Sequence, residues 1–154
     1  MRSGLADGTA TTVETVVTVN MVARLGGKQI HPVLATAQMI EWMEWAGRKL
    51  ILPYLEESED AVGYAIDIVH VAPTLVGESF STTAVFRSRQ GTRIITDVVA
   101  RNCRGIIGHG VFTQVLVEKK TLADRILNIQ HQSRTGLQHN LDDQTTKEAG
   151  SESK

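Results

Sequence analysis

The chain has 154 residues, 42% hydrophobic and 21% charged, which is enough apolar material to bury one core and form a single domain. A formal charge of -1, from 16 basic and 17 acidic residues, gives no overall attraction to DNA, RNA or an anionic membrane. The lone cysteine, Cys103, excludes an internal disulfide and a cysteine-rich zinc site, and no apolar run approaches the ~20 residues of a membrane helix.

Residues 1–11 read as a flexible N-terminus without the apolar block of a secretory signal. A reducing cytoplasm is therefore the expected compartment. Over residues 12–22, Val13, Val17, Val19 and Met21 alternate with Glu14, Thr18 and Asn20, the period of a half-buried strand. "ARLGGKQIHP" then breaks the pattern at Gly26, Gly27 and Pro32, and a helix is expected to begin between Val33 and Thr36.

In "ATAQMIEWMEWAGRKLILPYL", residues 35–55, a period of ~100° per residue aligns Ala35, Met39, Met43, Ala46 and Leu50 in one apolar stripe. Ile40 and Ile51 flank it on one side and Trp42 on the other, while Glu41 and Arg48 lie opposite. Pro53 should end the helix. Beyond Asp60 the period is two: residues 62–72, then "ESFSTTAVFRS", "TRIITDVVARNC" and "GIIGHGVFTQVLVEKK", joined by turns short enough for antiparallel neighbours. Domain boundaries at 12 and 128 follow, with 129–154 a polar tail expected to be disordered.

One strand, one helix and four further strands predict an α+β domain, an antiparallel five-stranded sheet wrapped around one long central helix. Such a sheet leaves edges that commonly pair with a second copy, so a homodimer with a continuous sheet is expected.

Three side chains could carry chemistry. His70 shares a face by alternation with Val62, Tyr64, Ile66 and Ile68, as either a satisfied core histidine or an acid, base or donor to a reacting carbonyl. Glu44 falls just past the apolar shoulder, where it would be a rim charge or a partly desolvated base; Glu41, on the outer face, is the surface-charge comparison. Thr36 fits a helix cap as well as a catalytic hydroxyl. Eight helical residues separate Thr36 from Glu44 by ~12 Å along the axis, so direct contact between them requires an irregular helix start. Metal-ligand spacing is absent among the histidines, and there is no G-x-S-x-G, Walker or dinucleotide motif.

"HPVLATAQMIEWMEWAGRKLILPYLEESEDAVG" and "AIDIVHVAPTLVG" resemble the hot-dog fold, and within it the fluoroacetyl-CoA thioesterase-like group of acyl-CoA thioesterases. The resemblance runs from about residue 12 to 118, and its most specific portion is A-T-x-x-M-[IV]-x-x-M-E-W-A over residues 35–46 followed by His70. It implies catalytic roles for Thr36, Glu44 and His70, and a substrate-facing backbone at Gly63. Two departures concern specificity: Gln114 stands where the fluoroacetate-resistance enzyme has an arginine, and "GGKQIHP" lacks that enzyme's lid aromatics. The resemblance therefore implies hydrolysis of a short or medium acyl-CoA without selecting the fluoroacetyl group, with Gly63 and Gln114 as substrate contacts.

No cofactor beyond the CoA of the substrate, no metal, no nucleic acid and no membrane are implied. Arg101, Arg104, Lys119 and Lys120 are the candidates for the CoA phosphates. A non-hydrolytic acyl-CoA or small hydrophobic-ligand binder on the same fold is the alternative. A hot-dog hydratase would carry a D-x-N-x-x-H setting that this chain lacks, and whether two dimers assemble further is not fixed by the sequence.

Overall fold

The periodicities resolve into seven strands and one long helix up to Glu118 of the computed structural model, which describes residues 1–132. In chain order these are β1 (Ala10–Val16), β2 (Val22–Leu25), β3 (Lys28–Leu34), α1 (Thr36–Ile51), β4 (Glu59–His70), β5 (Ser79–Gln90), β6 (Arg93–Asn102) and β7 (Gly105–Glu118). Five form one sheet in the order β1-β5-β6-β7-β4, with antiparallel pairing of β1 with β5, β5 with β6 and β6 with β7. The expected five-stranded sheet around a single helix is present.

The apolar stripe of α1 seats the helix on the sheet. Met39, Met43, Ala46 and Leu50 are buried against Phe80 and Ala84 of β5, Ile94 and Val98 of β6, and Phe112 of β7. Register shifts between Phe86 and Ser88 of β5, and between Ala100 and Arg101 of β6, are bulges of the kind that increase twist and bend a sheet. Trp42 meets the Phe80 ring edge-on, with centroids 6.1 Å apart.

Two expectations change near the N-terminus. The first strand ends at Val16, and Val19–Met21 form a 3-10 turn, so Met21 stays buried while Val19 is exposed. The segment read as a break in the pattern is a two-stranded ribbon, β2 paired with β3, in which Leu25 faces Lys28 across Gly26 and Gly27. Both glycines have positive φ, 58° and 76°, the backbone of a tight hairpin turn that side-chain-bearing residues resist.

Residues 119–132 are helical, in a separate unit that begins at Glu118; alternation did not anticipate this helix. The tail drawn from residue 129 lies outside the described residues from 133 onward. No described helix is long and apolar enough to cross a membrane.

Candidate active site

Ala35, not Thr36, occupies the helix cap. Its backbone is extended (ψ 144°), its N–H donates to the Met21 carbonyl at 2.8 Å, and Thr36 is the first helical residue. The threonine hydroxyl is thereby left for another partner, and Thr36 Oγ1 lies 3.0 Å from His70 Nδ1. On the far side of the ring, His70 Nε2 is 3.1 Å from the Ala72 carbonyl. A carbonyl only accepts, so Nε2 carries a proton; in the neutral ring Nδ1 then accepts from the threonine hydroxyl. Hydroxyl, imidazole and orienting oxygen form a continuous chain.

That orienting oxygen is well anchored. Val71 N–H and Ala72 N–H both donate to the Ile107 carbonyl, at 2.8 and 3.3 Å. Farther along the loop, Arg104 pairs with both carboxylate oxygens of Glu78 and donates to the Pro73 carbonyl. The Arg104 guanidinium, followed by the Leu75 N–H, holds the Glu78 carboxyl down at about 2. Arg104, a candidate for CoA phosphate, is thus engaged in clamping the loop behind His70, while Arg101 is exposed on β6.

Glu44 stands farther along the same helix, away from Thr36 and His70. It is exposed in the single chain rather than partly desolvated, and opens on a cleft of about 310 Å³ with Gly63, Phe112 and Gln114 on its walls and Trp45 and Arg48 beside it. Gly63 makes this possible: a Cβ there would stand 3.1 Å from Glu44 Oε1. Gly47 likewise permits a close approach, nearly one helical turn beyond Glu44, since its Cβ would lie 2.7 Å from Phe112 Cδ1. Glu41 opens on the same cleft and accepts a hydrogen bond from Gln38 Nε2 at 3.0 Å, so it is a rim neighbour and not an outer-face charge.

Strict alternation fails along β4. Gly63 and Ala61 line the Glu44 cleft, while Ile66 and Ile68 pack on the core and His70 reaches Thr36. Odd positions face inward first and even positions later, so the strand changes parity between Gly63 and Ile66. Tyr64, expected among the apolar residues, is 60% exposed and under the Arg93 guanidinium. Sequence reasoning missed the Ala72 carbonyl, which has no side-chain signal, and the close-approach role of Gly47, whose signal was a glycine inside a helical period.

Among the described residues, no three His, Cys, Asp or Glu side chains gather as a metal site. What the arrangement offers is acid-base chemistry: a hydroxyl-imidazole pair at the first turn of α1 and a carboxylate over a glycine backbone two turns later.

Residues 17–120 match the family described as fluoroacetyl-CoA-specific thioesterase. The chain belongs to that family. A curated relative, the fluoroacetyl-CoA thioesterase of Streptantibioticus cattleyicolor, is 36% identical over 85 residues, 55% of this chain and 61% of the relative's length. The chain therefore spans under two thirds of that relative in the matched region. Among solved structures, a hypothetical Thermus thermophilus protein of the thioesterase superfamily is similar with a TM-score of 0.83, 34% identity, and coverage of 86% of this chain and 98% of that one. The fluoroacetyl-CoA thioesterase FlK follows with a TM-score of 0.77 and 27% identity over 82% of this chain and 98% of its own. The fold of this family member is thus the hot-dog fold, an α+β domain.

Proposed function

We propose that the protein is a cytoplasmic, homodimeric acyl-CoA thioesterase that hydrolyses a short or medium acyl-CoA to free acid and CoA. The observation that carries this reading is the chain from Thr36 hydroxyl to His70 to the Ala72 carbonyl, a hydroxyl-imidazole pair held by a third group as acyl-transfer sites require. Family membership supports it.

In the proposed reaction Glu44 takes a proton from water as the water oxygen attacks the thioester carbonyl. The C–S bond then breaks, and the thiolate receives a proton through Thr36 from the protonated form of His70. The proton held by Glu44 returns to solvent and His70 takes one back from solvent, leaving acid and thiol with both side chains restored. No cofactor is needed beyond the CoA of the substrate. The exposed Arg101 of β6 remains a candidate for its phosphates.

The same geometry supports the homodimer. Thr36 and Glu44 sit on one continuous helix, about 12 Å apart along its axis, too far to share a carbonyl. Strand β4 spans Glu59–His70 at the sheet edge, and a long edge strand favours pairing with a second copy. Antiparallel pairing about a two-fold axis between Ile66 and Asp67 would set Gly63 opposite His70 of the partner subunit. The cleft below Glu44 would then meet the partner's Thr36 and the partner's His70, completing one site in each of two slots.

The test is thiol release from a panel of acyl-CoA esters by the native protein, Glu44→Ala and Glu14→Ala. Glu14 is exposed on β1 and outside the cleft, which makes it a cleaner comparison than Glu41. Hydrolysis that collapses only in Glu44→Ala supports the reading. Binding of acyl-CoA without thiol release across the panel would replace it with the non-hydrolytic binder.

A further inference from the structure

Gln114 is 2% exposed, and its Nε2 is the one buried side-chain nitrogen or oxygen among the described residues that lacks a hydrogen-bond partner. The other buried polar side chains among the described residues are satisfied. Thr82 Oγ1 donates to the Trp42 carbonyl at 2.8 Å, Thr96 Oγ1 to the Phe112 carbonyl at 3.1 Å, and Thr74 Oγ1 accepts from Asn102 Nδ2 at 3.0 Å. A buried donor without an acceptor lowers stability, and a hydrophobic side chain of similar volume would avoid the loss. The amide is therefore out of place as packing and calls for an acceptor that arrives from outside.

The cleft is where such an acceptor would come from. Gln114 lines it together with Phe112 and Gly63, beneath Glu44, and Nε2 rests against α1, 3.3 Å from the point where a Cβ on Gly47 would stand. A volume of about 310 Å³ lies at the small end of small-molecule sites, enough for a short acyl group running past the carboxylate. The charges around the cleft restrict what that group can carry. Glu41 and Glu44 both open on it, and the lining cation, Arg48, already donates to Asp60 Oδ1 and to the Ala61 carbonyl, each at 2.8 Å. A carboxylate on the acyl chain would meet two like charges with no unengaged cation among the lining residues. A neutral oxygen meets no such penalty.

Resting on the thioesterase reading of this cleft, we infer that Gln114 selects an acyl group bearing a neutral oxygen acceptor, a hydroxyl or keto group, beyond the thioester carbonyl. Nε2 donates the hydrogen bond, and the Phe112 ring covers the apolar portion of the chain. Plain alkyl chains of the same length leave the amide unpaired, and dicarboxylic acyl groups are repelled at the mouth.

The experiment compares butanoyl-CoA with its 2-, 3- and 4-hydroxy and 3-oxo derivatives and with succinyl-CoA, on the native protein and on Gln114→Met. Thiol release gives kcat/KM, and calorimetry with the matching CoA thioethers, which cannot be hydrolysed, gives Kd. At least one neutral oxygenated chain is expected to show kcat/KM on the order of tenfold above butanoyl and Kd on the order of tenfold below it. Gln114→Met should erase that preference, read as the ratio of each oxygenated chain to butanoyl within the same variant, and its melting temperature should not fall. Equal values for butanoyl and every oxygenated chain, a preference that survives Gln114→Met, or a preference for succinyl would overturn the inference. A thioether preference that depends on Gln114 with no thiol released from any ester would uphold it and instead refute hydrolysis.

Discussion

Glu44→Ala and His70→Ala subunits, each inactive alone, are expected to restore hydrolysis to one another when combined. The reason is geometric: His70 is bonded to Thr36 at the first turn of α1, whereas Glu44 faces Gly63 two turns later, about 12 Å along the axis. In the shared-slot dimer each site draws its carboxylate from one subunit and its hydroxyl-imidazole pair from the other. A mixed dimer then has one site with both substitutions and one with neither. Random pairing of equal amounts makes about half the dimers mixed, each with one intact site of two, so about a quarter of native activity should return. The assay is thiol release after unfolding and refolding the two variants together, with native protein carried through the same cycle as the reference and far-ultraviolet circular dichroism to verify folding. Were the three residues to act within one subunit, every site in the mixture would lack Glu44 or His70 and activity would stay at background. That result would refute the shared slot.

Thr36→Val should lower kcat on the order of a hundredfold, the range of a lost proton-handling group, while Thr36→Ser recovers most of it; comparing both with their melting temperatures separates chemistry from folding. Gly63→Ala should reduce kcat with little change in melting temperature, because its new Cβ would meet the flexible end of Glu44 and displace the carboxylate. In Gly47→Ala a helix-propensity gain of up to about 1 kcal/mol opposes an overpacking cost of about 1–3 kcal/mol where the Cβ meets the Phe112 ring, so a net loss of stability is expected by urea titration. Glu78 is held at about 2 against its ordinary 4.5, so its contribution to folding is fully present above 4.5 and fades as pH falls toward about 2. The melting-temperature gap between native protein and Glu78→Gln should therefore close across that interval, and a gap that persists at its lower end would show that the Arg104 clamp is not its source.

The helix was legible because its burial depends on one short-range rule. Met39, Met43, Ala46 and Leu50 recur at the helical period and all are buried, so a linear pattern sufficed. The ribbon β2–β3 was missed for the opposite reason. Its strands are short and largely exposed, so they carry no apolar alternation, and its signal was confined to Gly26-Gly27, a pair suited to a two-residue hairpin turn. Val19 shows a third case, in which alternation continues in the sequence while the chain turns through a 3-10 step and redirects the side chain.

The site posed a harder problem, because side-chain identity was readable while side-chain direction was not. Alternation assigns Gly63 and His70 to opposite faces of one strand, and only the change of parity before Ile66 lets both serve the inner face. A change of parity of this kind leaves no mark in the residue types beyond a glycine. Helical periodicity, in contrast, stated the separation of Thr36 and Glu44 correctly, and the unbroken α1 keeps them apart. In the proposed reaction a carboxylate and a hydroxyl-imidazole pair act on one carbonyl, and the unbroken helix that separates them within a chain then places a demand on assembly. The edge strand that carries Gly63 and His70 is the element available to meet it. The same spacing that weakens a single-chain triad is thus the strongest physical argument for a site built by two subunits.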